Sequence, residues 1–383
     1  MSRNPIEDKT AIAGIGWTEI TRRSGVSVMS LAAQACLAAI GDAGLTPKDV
    51  DGLVEYQAND SVGALELADV LGVPAVNWYT DIRGGGDHAV SSVALAAMAV
   101  ASGACDTCVV YRALNGRSGH RFGAARPSTL GGRDQWVVPY GYMVPPQWFA
   151  MWARTHMARY GTTHEHLGAI AVNQRRNATM NPRAVFQKPI SMEDYLSSRW
   201  INEPFHIYDC TVEVDAACAV VVTSAERAQA LRHKPVYIKG FAFGSFGRPN
   251  WEQWADMTEM YSKHVGEMLW RRTGLTAKDM DVAEVYDCFT YSMMCQLEDY
   301  GFCAKGEGGP FVASGAIALE GEIPVNTHGG LLSEGYIHGL NHSCEAVSQL
   351  RGDAGLRQVS GAQTALVTSG AGILGGGIIY HTK

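Results

Sequence analysis

The period of the apolar positions changes several times along the chain, and the changes mark out strands and helices. After a polar opening, MSRNPIEDKT, the apolar run AIAGIG reads as a strand. Helical spacing follows over about 29–40, with Ser27 placed as N-cap and Gly41 and Gly44 beyond the end. A Leu-Thr-x-Lys-Asp turn and a second apolar strand complete the unit. The same script returns later, with a helix over about 257–272 that ends in Arg271 and Arg272, suited to the negative end of its dipole, and stops at Gly274. Residues 89–104 are Ala, Ser and Val on every side, which predicts a buried helix; the run is shorter than the ~20 apolar residues a bilayer needs. Between about 115 and 204 the pattern breaks into loops and helices rich in Met, Trp, Tyr and Arg, an insertion whose adaptable and flat side chains suit a bulky apolar ligand.

The recurrence has a fixed register. GLTPKDVD at 44–51 returns as GLTAKDMD at 274–281, and the same offset pairs Tyr56 with Tyr286 and Gly14 with Gly244. Three matches in one register predict a duplication: an α/β chain with halves at 1–230 and 231–383, joined near 225–236, the first carrying the insertion.

Composition narrows the partners. The chain of 383 residues has 31 Lys+Arg against 38 Asp+Glu, a net charge of −7, which argues against nucleic acid or an anionic membrane surface. With 46% hydrophobic and 18% charged residues it should fold into compact cores. The opening lacks a basic segment followed by an apolar one, so a cytoplasmic location is expected. Nine cysteines spread over the whole length read as packed thiols rather than a disulfide framework.

Most familiar motifs fall away. Gly14-Ile15-Gly16 lacks the third glycine of a dinucleotide fingerprint, and neither a phosphate-cradling Gly-x-x-x-x-Gly-Lys-Ser/Thr loop nor a Gly-x-Ser-x-Gly elbow occurs. Cys105-Asp106-Thr107-Cys108 enters a strand, where the helix dipole that activates a redox pair is missing. His338 and His342 could share a helix face, but no acidic residue completes a zinc motif around them, so no metal is expected in this chain. His164-Glu165-His166 reads as a solvated helix start. Four segments remain: Arg83-Gly84-Gly85-Gly86-Asp87-His88; Asn326-Thr327-His328-Gly329-Gly330 running on to Gly335-Tyr336-Ile337-His338; Val285-Tyr286-Asp287-Cys288-Phe289-Thr290; and Ser369-Gly370-Ala371-Gly372. Glycines at such strand ends let backbone N–H groups approach a ligand closely.

Through these residues, together with AIAGIG, Asn181-Pro182-Arg183, the run EDYGFCAKGEGG at 298–309, NTHGGLLSEGY and the closing SGAGILGGG, the sequence resembles the thiolase superfamily in its lipid-transfer (sterol-carrier) branch. The resemblance spans nearly the whole chain. It implies a duplicated five-layered α/β/α/β/α fold with a loop domain, about 115–204, between the halves. It also exposes departures. The family's nucleophilic cysteine falls near Gly86, its second catalytic cysteine near Ser369, and its two histidines at Tyr286 and Tyr336. Such a combination is similar to the thiolase-like aldolases of steroid side-chain degradation, which imply retro-aldol cleavage of a 17-hydroxy steroid-20-carboxyl-CoA to a 17-keto steroid and propionyl-CoA.

Retro-aldol chemistry needs a base for the β-hydroxyl, stabilisation of an enolate and an acid for its carbon, but no acyl-enzyme. Tyr286 is the expected base and Tyr336 the expected acid, with the reverse open. Gly86, Asp87, His88, His328, Gly329, Gly330, Ser369 and Gly370 are the expected substrate contacts. The resemblance further implies a homodimer, a small zinc-binding OB-fold partner that can belong to an enoyl-CoA hydratase, zinc only in that partner, and no bound cofactor beyond the coenzyme A of the substrate. A non-catalytic acyl-CoA-binding or lipid-transfer subunit is the alternative.

Overall fold

The computed structural model describes residues 4–119, 121 and 130–383. The first half contains β1 (Thr10–Trp17), α1 (Val28–Asp42), β2 (Gly52–Gln57), α2 (Ala64–Leu71), β3 (Trp78–Arg83), α3 (Ala89–Ser102) and β4 (Thr107–Asn115). Two helices of the insertion, α4 (Pro145–Tyr160) and α5 (His164–Thr179), precede β5 (Asp215–Ser224). The second half contains β6 (Val236–Gly244), α6 (Tyr261–Thr273), β7 (Val282–Glu284), α7 (Thr290–Asp299), α8 (Leu340–Arg351), β8 (Thr364–Ala371) and β9 (Leu374–His381).

These strands hydrogen-bond in the order β3-β2-β4-β5-β1-β6-β9-β8-β7. Outward from the central β1–β6 pair the order repeats. β1-β5-β4 and β6-β9-β8 are antiparallel, and each series then adds a parallel strand, β2 or β7. The matching turns also share their chemistry: Asp49 accepts from Thr46 N and Oγ1 at 2.9 and 2.8 Å, and Asp279 from Thr276 N and Oγ1 at 2.7 and 2.8 Å. Local side-chain bonding to the backbone is strong enough to keep these turns alike where the flanking residues differ.

Strand periodicity builds the layers. Val54, Tyr56, Val110, Val220 and Val222 face a core shared with Val90 and Val93 of α3, Cys344 and Val347 of α8, and Val282, Val367, Ile378 and Tyr380 of the second half. Their neighbours Leu53, Val109, Tyr111, Ala219 and Val221 pack beneath α1 and α2. Ala283, Leu366 and Ile379 lie beneath α6 and α7. The two half-sheets therefore enclose α3 and α8, giving five layers, helix on sheet on helix on sheet on helix. Small residues around α3 let both sheets approach it.

Local boundaries differ from expectation at two helices. α1 continues through Gly41 to Asp42, since that glycine is exposed and costs the helix only about 1 kcal/mol. α6 starts at Tyr261 rather than near 257, because the Asp256 carboxylate accepts from Thr258 N at 2.9 Å and Oγ1 at 2.7 Å and holds that stretch in a turn. Cys105 and Cys108 are buried free thiols, and Thr163 caps α5. His338 precedes α8 in a left-handed conformation at φ 52°, so it does not share a helix face with His342.

Candidate active site

Tyr286 follows β7, and its position is over-determined. Its N–H donates to Thr368 Oγ1 at 2.8 Å, and its carbonyl accepts from Gln296 Nε2 at 2.8 Å. Two glycines form a slot for the ring. A methyl built on Gly86 would lie 1.8 Å from the phenol oxygen, and one on Gly339, at φ +87°, would lie 2.9 Å from the ring carbons. Tyr336 is tied by its N–H to the Val212 carbonyl at 3.0 Å. The hydroxyls of Tyr286 and Tyr336 meet at 2.9 Å.

Both tyrosines form part of the wall of a cavity of about 950 Å³, with Gly86, Asp87 and Gly370 also on that wall. The glycine turns approach one another closely: a methyl on Gly370 would lie 3.0 Å from the Asp87 Cα, and Ser369 Oγ donates to the Asp87 carbonyl at 3.0 Å. Apolar surface comes from Trp148 and Phe149 of the insertion together with Trp251 and Phe289. Their rings pack face to edge or tilted, with Phe149 5.0 Å from Trp251 and 4.9 Å from Phe289. A space this large with an apolar wall suits a ligand the size of a fused-ring lipid.

Five expected contacts are not on this wall. His88 points to Ser91 Oγ at 3.0 Å and packs on Phe243, because the α3 entry turns its ring off the cavity. His328 is wholly buried between Glu284 at 3.0 Å and Glu334 at 3.5 Å. Gly329 packs against Ala178 of α5 and Gly330 against the Asp287 carboxylate. Ser369 lies within β8, paired with Gly376, and its hydroxyl is used on the Asp87 carbonyl. Asp287 also turns away from Tyr286 and accepts from Leu331 N at 2.9 Å.

Five arginines, Arg22, Arg117, Arg121, Arg175 and Arg199, border the cavity against two carboxylates, Asp87 and Glu213. In a chain of net charge −7 this local excess marks an anionic ligand. Sequence reading missed these arginines because they come from separate segments with no shared motif. Arg175 is the buried one, with its guanidinium 4.6 Å from the Phe186 ring centre and its Nε donating to Ser333 Oγ at 3.0 Å. Burial holds its pKa below the usual range.

Two thiols, Cys210 and Cys288, also reach the wall. Burial pushes Cys288 up to about 12 and Cys210 well above its ordinary value, so neither supplies a thiolate near neutral pH. Burial raises both phenols too, but they differ. Tyr286 is raised further by Tyr336 and Cys288. Tyr336 is raised by burial and then by Cys288, while donation from Tyr286 and the positive charge of Arg112 work the other way. Both phenols are therefore neutral near pH 7, and the pair can pass a proton directly between its oxygens.

Residues 246–379 match the family model for a thiolase C-terminal domain-like region. The chain is 43% identical over 385 residues to the steroid side-chain-cleaving aldolase of Thermomonospora curvata, covering 96% of this chain and 97% of the relative. The chain belongs to the thiolase superfamily, in its lipid-transfer branch. A second relative, 17-hydroxy-3-oxo-4-pregnene-20-carboxyl-CoA lyase of Mycobacterium tuberculosis, is 42% identical over 390 residues, covering 98% of this chain and 99% of its own. The solved Ltp2-ChsH2(DUF35) aldolase superimposes with a TM-score of 0.93 at 41% identity, covering 98% of each chain.

Proposed function

We propose that the protein is a carbon–carbon lyase that cleaves a 17-hydroxy steroid-20-carboxyl-CoA to a 17-keto steroid and propionyl-CoA without an acyl-enzyme. The direct hydrogen bond between Tyr286 and Tyr336, facing a side-chain-free Gly86, carries the reading. In a relay through two neutral phenols, Tyr336 takes the proton of the β-hydroxyl as its own proton passes to Tyr286; the freed oxygen pair forms the ketone, and the bond to the thioester α-carbon breaks. That electron pair passes into the thioester enolate, and Tyr286 protonates the α-carbon. The shift across the 2.9 Å contact leaves both tyrosines neutral, as they began. In this reading backbone N–H groups of the turns at Gly86 and Gly370, both on the cavity wall, stabilise the enolate oxygen, and exposed arginines at the rim hold the phosphates of coenzyme A.

The identities of both relatives and the apolar, arginine-rimmed cavity support this substrate class. A small DUF35 partner, of the OB-fold, zinc-binding kind expected from the sequence and able to belong to a hydratase, and a homodimer in the cytoplasm complete the proposal. Among the described residues no helix is long and apolar enough to cross a membrane.

Incubation of the protein, with a DUF35 partner where required, with the 17-hydroxy steroid-20-carboxyl-CoA should release ketone and propionyl-CoA in equal amounts by mass spectrometry, with no acyl mass added to the protein. Binding without turnover identifies a lipid-transfer subunit instead.

A further inference from the structure

Behind the strand end that carries Tyr286, outside the cavity wall, three segments bring ionisable side chains together. β7 supplies Glu284, the loop before Gly329 supplies His328, and α8 supplies His342, each wholly buried. One ligand atom from each lies within 4.8 Å of the others. The orientation is informative. Both imidazoles present Nδ1 to the same oxygen, Glu284 Oε2, at 3.0 Å for His328 and 3.8 Å for His342. Their Nε2 atoms face outward to two further carboxylates, Glu334 and Asp287, each at 3.5 Å.

Ligand atoms around a tetrahedral ion with bonds of roughly 2.0–2.1 Å stand about 3.3 Å apart. The two Nδ1 to oxygen distances bracket that separation. A carboxylate stands 3.5 Å behind each Nε2, within reach of the hydrogen bond that orients a metal-bound imidazole once the ring turns onto an ion. Glu284 itself is prepared: its Oε1 accepts from Thr327 Oγ1 at 2.9 Å, while Oε2 makes no aligned hydrogen bond. Neither ring nitrogen of His328 or His342 makes one either. These buried atoms are held by charge across 3.0–3.8 Å rather than by aligned hydrogen bonds, and a single cation between them would satisfy three at once.

We propose that Glu284, His328 and His342 form a buried site for one divalent transition-metal ion of the zinc type, structural in role. Two imidazoles and one carboxylate suit such an ion. None of the three borders the cavity. The ion therefore ties together β7, the 326–330 loop and α8, the segments that converge on Tyr286, and it is acquired as the chain folds. His342 works with partners from two other segments, not with its neighbour in sequence, His338.

The test counts metal in the assembly as purified, because a partner can bring zinc of its own. Elemental analysis should find one equivalent more per chain in the parent than in the double variant Glu284→Gln/His342→Gln, and zinc should raise the melting temperature of chelator-treated parent but not of the variant. Should the variant fail to fold, anomalous scattering at the zinc edge from crystals of the unaltered protein decides, with a peak expected between the three side chains. Equal metal content in parent and variant, or no peak, overturns the site. It would leave an ion triple instead, in which burial pulls the His328 pKa down but Glu334 and Glu284 outweigh it and push it up to about 9.

Discussion

Tyr56 and Tyr286 are the same residue at duplicated positions, on β2 and just past β7. Tyr56 is wholly buried, and its hydroxyl donates to the His338 carbonyl at 3.0 Å, a neutral acceptor that has no proton to exchange. Tyr286 instead meets another phenol at the cavity wall, opposite a glycine. Duplication supplied the same phenol twice, and the opposing surface decided which one can do chemistry. Tyr286→Phe should therefore lower kcat by about 10²- to 10⁴-fold with the fold intact. Tyr56→Phe should leave kcat within a few-fold and cost about 0.5–1.5 kcal/mol in stability, from the hydrogen bond it removes. Steady-state kinetics and denaturant titration of the pair measure both arms; similar activity losses would break the contrast.

The opposing surface can be changed without touching either ring. Gly86→Ala places a methyl where the Tyr286 oxygen stands, so the phenol must leave its partner. Activity should fall by about 10²-fold, while overpacking costs about 1–3 kcal/mol. A smaller effect is expected at the thiol on the same wall. Because burial holds Cys288 protonated, Cys288→Ala should retain kcat within about fivefold, against the losses of at least 10³-fold typical when a covalent nucleophile is removed. A loss of that larger size would restore a covalent route and sink the phenol mechanism.

How much of this was legible in the sequence follows from how local each interaction is. The duplicated turn could be read because Thr46 and Asp49 are near neighbours in the chain and bond to each other. The tyrosines were reached through the family resemblance, since Tyr286 follows β7 but Tyr336 makes only an isolated bridge to Glu213, and the insertion's aromatics were legible because their composition is unusual. His328 and Ser369 were reached in the same way as the tyrosines, yet their side chains point into packed interior. That choice is made by groups remote in sequence, the Glu284 carboxylate for His328 and the Asp87 carbonyl for Ser369. The imidazole–carboxylate cluster and the cavity arginines were invisible for the same reason. Their meaning lies in tertiary convergence, which spacing along a chain does not encode.

The weakest contrast between the halves is also the cleanest check on their kinship. Thr46 donation pulls Asp49 below its ordinary pKa, and Thr276 donation does the same for Asp279. For a carboxylate with a depressed folded pKa, the stabilisation is complete above the unfolded value, about 3.9, and is lost as pH falls through the lower folded value. Carboxyl carbon titration by NMR should therefore place both midpoints below that of an unstructured aspartate. Asp49 also faces the Arg227 guanidinium at 3.5 Å, whereas hydrogen bonds from Thr276 are what lower Asp279. Added salt should move Asp49 slightly upward and leave Asp279 in place, since screening weakens an exposed ion pair far more than a hydrogen bond inside a turn. If only one of the two were depressed, the local turn could not be what preserved the repeat.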